Sequence, residues 1–347
     1  MSSDLKKYLK EVDAVLVSSW GNITYLTGFS GFSQTERECL LIVTRNKQYL
    51  ITDGRYSEAV KEQVSNFEVI DIGVSKFLNK EHSNILKKIR IKSLGIEEND
   101  LTVSEYRSIK RIVGKTINID LSKLRVKKRK DEIENIKKAC KIGDLAFLFI
   151  IKQLRAGISE RHVLDSLETF VNSKGADISF KPIVAFGKNS SIPHHVSGQT
   201  KLKQNQIVLL DFGVKVNNYC SDMSRTVFFG TADEKFRRMH QAVLAAQSKA
   251  IEYIQKFYCS SERSESRSQF STNSNSKLLA RDIDKVARGY IAKQKYPNII
   301  HSVGHGIGVE VHEPPHLSPH SKDKIEEGMV FSVEPGIYIE GYRRNKD

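Results

Sequence analysis

The first third of the chain alternates short apolar runs with turn formers. Residues 13–17 (DAVLV) read as a buried strand. Residues 22–29, 39–43, 48–52, 69–72 and 93–97 read as further strands, with Arg45-Asn46-Lys47 as a turn. Residues 57–64 and 85–91 carry helical periodicity. Strands alternating with helices predict an α/β domain over residues 1–122. A basic stretch, RVKKRK (125–130), follows and reads as part of a solvated linker, 123–130, leading into a second domain over 131–347.

Asp131 opens a helix in which Ile133, Ile136, Ala139, Leu145, Leu148 and Ile151 keep a helical period as far as Gly157. Ser159 is placed to cap the next helix, which stops near Gly175. Residues 180–186 are strand-like and lead into the turn-rich loop NSSIPHH (189–195). Two β-rich runs, 207–216 and 219–229, flank Asn217-Asn218, and asparagine tolerates the left-handed turn conformation. That spacing predicts a two-residue hairpin. Residues 234–256 and 279–293 read as helices, with a serine-rich stretch over 258–277 read as a disordered insert. An apolar strand, 329–333, ends in Glu334 and turns at Pro335-Gly336.

Composition narrows the class. The 347 residues are 39% hydrophobic and 28% charged, a globular profile, and the net charge of +14 is carried mostly by scattered lysines. Solvated helix faces account for that charge, so a nucleic-acid partner is not expected. The four cysteines form no CxxC pair, which fits a reducing cytoplasm. The first residues lack the apolar core of a signal peptide, and the longest apolar run, 145–151, is too short to span a bilayer. A cytoplasmic protein without a membrane partner is therefore expected.

The candidate chemistry lies in the second half. In the predicted hairpin Val216 pairs with Tyr219, so Asp222 falls opposite Gly213 and on the same face as Asp211. The two aspartates become diagonal neighbours with Cβ atoms about 7 Å apart. Such a pair repels unless cations sit between it, and two divalent ions about 3.5–4 Å apart fit the gap. His305, flanked by Gly304 and Gly306, is one of three histidines between His301 and His312. Glu334 adds another acid. Carboxylates with one imidazole suit Mn, Co, Fe or Zn. Three short matches are discarded. The HEPPH string at 312–316 mimics a zincin motif, but two prolines bar the helix that motif needs. The DFG at 211–213 has no kinase catalytic loop before it, and GHGIG (304–308) is no dinucleotide fingerprint.

Four segments carry a resemblance: SFKPIVAFGKNSSIPHH (179–195), LLDFGVKVNNYCSDMSRT (209–226), HSVGHGIGVEVHEPP (301–315) and GMVFSVEPGIY (328–338). Together they resemble the pita-bread metallopeptidases that act before proline, the Xaa-Pro dipeptidases (prolidases) and Xaa-Pro aminopeptidases. NITYLTGFSG (22–31) and ITDGRY (51–56) resemble the creatinase-type domain that precedes the catalytic domain in this family. The resemblance implies a creatinase-like N-terminal α/β domain followed by a pita-bread domain, α/β (α+β) overall. It implies Asp211, Asp222, His305 and Glu334 as metal ligands for two divalent ions. It also implies His194 and His312 as substrate-side histidines, Glu334 as proton relay, and Tyr219 and Thr226 as supports beside the aspartates. A proline-containing peptide substrate and a homodimer are implied in the same way.

The sequence departs from the family at its end. The fifth ligand, a second glutamate, would fall one position past Asp347, and a closing strand of the pita-bread domain would be missing. The codons GGA GGA ATA AAG ATT GAA encode the family's Gly-Gly-Ile-Lys-Ile-Glu. One added A in front turns them into Arg-Arg-Asn-Lys-Asp-stop, which is residues 343–347. The expectation is a one-base insertion after Tyr342, with weakened metal binding and little activity in the encoded chain. The alternative is a catalytically inactive pita-bread module that binds protein or nucleic acid. Creatine amidinohydrolysis and methionine removal are disfavoured by the ligand set and by the N-terminal domain respectively.

Overall fold

A computed structural model of the chain describes residues 3–73, 85–262 and 277–339. The chain divides into two compact units, Met1–Arg125 and Val126–Asp347. Most of the serine-rich stretch (263–276) and the ending read as frame-shifted (343–347) lie outside the described residues. No helix among the described residues is long and apolar enough to cross a membrane.

The first unit is a six-stranded mixed sheet. Its strands are β1 (Ala14–Val17), β2 (Cys39–Thr44), β3 (Gln48–Thr52), β4 (Glu68–Asp71), β5 (Ser93–Ile96) and β6 (Lys115–Asn118), in the order β4-β3-β2-β1-β5-β6. Every residue of β1 is buried, the mark of a strand covered on both faces. Val15, Val17, Leu41 and Val43 pack into one core, and Ala14, Leu16, Leu40 and Ile42 into another. Among the described residues the named helices are α1 (Ser3–Tyr8), α2 (Trp20–Thr27), α3 (Ser57–Gln63) and α4 (Val103–Lys110), and 85–88 are helical as well. The capping box Thr102–Glu105 that opens α4 was a readable signal, but neither α4 nor β6 was anticipated.

Residues 22–29, expected as a strand, form helix α2 instead. Tertiary anchoring overrides the β-branched residues. The buried Glu97 carboxylate accepts from the backbone N–H groups of Ser18 and Ser19 at 2.6 and 3.0 Å and from Asn22 Nδ2 at 2.5 Å. That places a negative charge at the helix N-terminus. Gly28, at φ 75°, closes the other end with its N–H on Thr24 O.

The second unit opens with α5 (Lys130–Gln153) and α6 (Glu160–Ser173), the latter capped by Ser159 as expected. Strands β7 (Asp177–Ile178), β8 (Ile183–Phe186), β9 (Gln206–Phe212), β10 (Val214–Val216), β11 (Tyr219–Cys220) and β12 (Met223–Phe229) follow. They form two three-stranded sheets, β12-β9-β8 and β11-β10-β7. Helices α7 (Glu234–Glu262) and α8 (Ala280–Lys293) precede the short pair β13 (Gly304–Gly306) and β14 (Glu313–Leu317). The strand expected over 329–333 is extended but forms only isolated bridges. Ile307, Ser332 and Glu334 donate backbone N–H bonds to Val330, His305 and Val303 respectively, so 329–334 runs antiparallel beside 303–307.

Two further expectations need correcting. On α5 the buried face is Ile136, Ala139, Gly143, Ala146 and Ile150, while Leu145 and Leu148 are exposed. The small residues let the helix approach the hairpin closely: a Cβ at Gly143 would stand 3.5 Å from Met223 and 3.9 Å from Val214. The basic stretch 125–130 is not solvated throughout. Arg125 and Lys128 are buried, on Asn22 Oδ1 at 2.8 Å and Glu313 Oε1 at 2.5 Å.

Candidate metal centre

The hairpin has the predicted register. Val216 pairs with Tyr219, and Asn217 and Asn218 take φ of 48° and 71°. Beyond Gly213 the pairing resumes in phase, Met223 opposite Phe212 and Ser224 opposite Asp211. Asp211 on β9 and Asp222, just before β12, thus come to one face. Ser224 Oγ donates to Asp211 Oδ1 at 2.8 Å, a support that the sequence reading assigned to Thr226 and Tyr219 instead. Tyr219 Oη donates to Glu132 on α5 at 2.8 Å, and Thr226 lines a separate cavity with Phe228, Phe236 and His240.

His305 enters from β13. The backbone around it is crowded: a Cβ at Gly304 would collide with Ser332 O, and one at Gly306 with Pro314 O. His305 Nε2 lies 3.2 Å from Asp222 Oδ2 and 3.0 Å from Glu334 Oε1, with its side chain 7% exposed. Its Nδ1 faces Gly306 O at 3.1 Å. If Nδ1–H donates there, Nε2 presents a lone pair to two carboxylates, an arrangement that calls for a cation or a proton. Ser332 Oγ donates to Glu334 Oε1 at 3.0 Å. His312 comes in from the other end of the 307–312 loop, its ring centroid 4.2 Å from that of His305. Ligand atoms of Asp222, His305 and His312 all lie within 4.8 Å of one another, so His312 stands within ligand reach as well. The HEPPH string lies on β14, not on a helix.

The electrostatics fit a cation site. Burial, with the Asp222 and Glu334 charges adding to it, pushes Asp211 up to about 6 against the Ser224 bond. Burial opposes charge on His305, but its bonds to Asp222 and Glu334 outweigh this and raise it to about 10. A proton there stands in for a bound cation. Glu334 is lowered: burial works against ionisation, and the His305 and Ser332 bonds overcome it. His312 is lowered by burial and by the neighbouring His305 charge. His194 is exposed, and its charge acts on Asp211. The sequence reading gave no role to Tyr338, whose hydroxyl is pushed up to about 12 by burial and by Asp211 and Glu334. His301 packs edge-on against the Tyr338 ring.

An acid-rich cluster built by a hairpin and two neighbouring extended segments, in the second of two units, has the donor set of a metal-dependent enzyme. Sequence comparison agrees: residues 134–345 match Metallopeptidase family M24 and residues 6–129 the Creatinase/Prolidase N-terminal domain. The chain belongs to metallopeptidase family M24, with a creatinase-type N-terminal domain and a pita-bread domain. It is 35% identical over 334 residues to the uncharacterized peptidase YqhT of Bacillus subtilis, covering 94% of this chain and 87% of that one. Among solved structures it is similar to an Xaa-Pro dipeptidase from Bacillus anthracis (TM-score 0.81, 31% identity, 97% and 89% of the two chains). It is also similar to a prolidase from Pyrococcus furiosus (TM-score 0.79, 31% identity, 96% and 91%).

Proposed function

We propose that this peptidase cleaves the bond preceding proline, as an Xaa-Pro dipeptidase or aminopeptidase using two divalent ions. The convergence of Asp211, Asp222, His305 and Glu334 beside His312 carries the reading. The Bacillus anthracis and Pyrococcus furiosus structures, described as Xaa-Pro dipeptidase and prolidase, support the specificity. The four residues would hold the ions, Mn, Co, Fe or Zn. When bound, two such ions would supply Lewis acidity and would lower the pKa of a water at the site toward about 7. Glu334, held by Ser332, takes and returns a proton. His312, whose pKa burial lowers, donates a hydrogen bond to the developing oxyanion. His194, exposed on the 189–195 segment, faces the substrate. The reading extends to a cytoplasmic homodimer, which free cysteines and family likeness support.

The test is hydrolysis of Ala-Pro, Met-Pro and an Xaa-Pro-Xaa tripeptide by the full chain loaded with Mn²⁺ or Co²⁺. Low cleavage that a chelator stops and excess metal restores is expected, and the preferred peptide length separates dipeptidase from aminopeptidase. A chain that takes up the ions but leaves all three peptides intact would sink the proposal.

A further inference from the structure

Lys128 and Glu313 form a buried ion pair, their side chains 1% and 2% exposed and Nζ 2.5 Å from Oε1. Lys128 Nζ also reaches Val126 O at 3.3 Å, and its backbone N–H donates to Gly328 O at 2.7 Å. Lys127 bridges Met329. Lys128 is therefore fixed to the segment that leads to Glu334. Glu313 directly follows His312 and pairs across the strands with Gly306, the neighbour of His305. Its carboxylate lies against Gly308, where a Cβ would stand 2.9 Å from Cδ. Gly308 O accepts from Cys220 N–H at 2.8 Å, two residues before Asp222. One buried carboxylate thus backs the segments carrying Asp222, His305 and His312.

We infer that Lys128 and Glu313 are positioning residues that set the mutual spacing of Asp222, His305 and His312, and so both the grip on the ions and the placing of the oxyanion donor. The inference rests on the metal site proposed above. A buried ion pair rarely gains net stability over an apolar pair of the same volume. What it supplies is direction: a charge-assisted bond holds the carboxylate, and the backbone attached to it, in one orientation. Packing alone would ask only for volume, so the two roles separate by experiment.

Glu313→Gln keeps the shape and weakens the charge assistance. The double variant Lys128→Met/Glu313→Met removes both charges and strands neither. In the metal-free full chain, the imidazole NMR signals of His305 and His312 shift or broaden in both variants, while those of His162 and His240 hold. Co²⁺ affinity, read from the visible absorption band, falls about 10- to 100-fold. The kcat on Ala-Pro falls while KM stays within roughly twofold. Unchanged His305 and His312 signals, with Co²⁺ affinity within roughly twofold of the parent, in a folded double variant reduce the pair to packing and overturn the inference. If that variant does not fold, Glu313→Gln decides by the same two readouts. A parent chain that takes up no Co²⁺, while the variants still move both histidine signals, refutes the metal site but leaves the positioning pair standing.

Discussion

A neutral His305 facing Asp222 and Glu334 at 3.2 and 3.0 Å is stable only with positive charge among them. Asp222→Asn removes one of the two carboxylates, and metal affinity measured by calorimetric titration should drop by about tenfold or more. His312→Ala should leave the ions bound and cut kcat by about 10²–10³, since it removes one oxyanion donor; steady-state kinetics on Met-Pro check this. A third residue-scale prediction concerns Glu160, whose carboxylate accepts from His195 Nε2, Asn189 Nδ2 and the N–H groups of Phe186 and Gly198. Burial, the largest influence, raises its pKa, but these bonds outweigh it and hold it below 4.5. A depressed carboxylate stabilises the fold above its unfolded pKa and loses that contribution as pH falls through the folded value. Glu160→Gln should therefore cost about 2 kcal/mol at neutral pH. The gap to the parent should close as pH falls below the ordinary glutamate range, read in urea titrations.

At the scale of elements, the hairpin places the two aspartates, and its turn is the point of control. Asn218 at φ 71° tolerates what a β-branched residue does not. Asn218→Val should cost about 1–3 kcal/mol and weaken metal binding, whereas Asn218→Gly should cost under about 0.5 kcal/mol; urea midpoints and Co²⁺ titration separate the two. This element was readable because its signal is local: two asparagines between alternating apolar runs fix the register, and the register fixes Asp211 and Asp222. His305 and Glu334 were readable because glycines and a Pro-Gly turn mark where backbone crowds and ends. Lys128 was not. In RVKKRK it looks like its neighbours, and only Glu313, 185 positions away, makes it a buried residue. The buried face of α5 escaped for a related reason. Periodicity detects large apolar side chains, Leu145 and Leu148, whereas close packing on the hairpin selects Ala139, Gly143 and Ala146. Helix α2 was misread because its anchor, Glu97, is distant in sequence.

For the whole molecule, every residue assigned to the metal site, including Lys128 and Glu313, falls in the unit Val126–Asp347, and none in Met1–Arg125. Ligand binding stabilises only what it binds, by about 2.7 kcal/mol at a free concentration one hundred times Kd. For a unit of this size that corresponds to a rise of about 5–10 °C in its melting temperature. Calorimetry of the full chain with and without Co²⁺ should therefore resolve two transitions, of which one moves upward with metal and returns on chelation. The transition that stays in place belongs to the first unit, whose six-stranded sheet has its own two-sided core. A single transition that shifts as a whole would show that the two units unfold as one cooperative body, and that the first unit's core depends on the metal-binding unit.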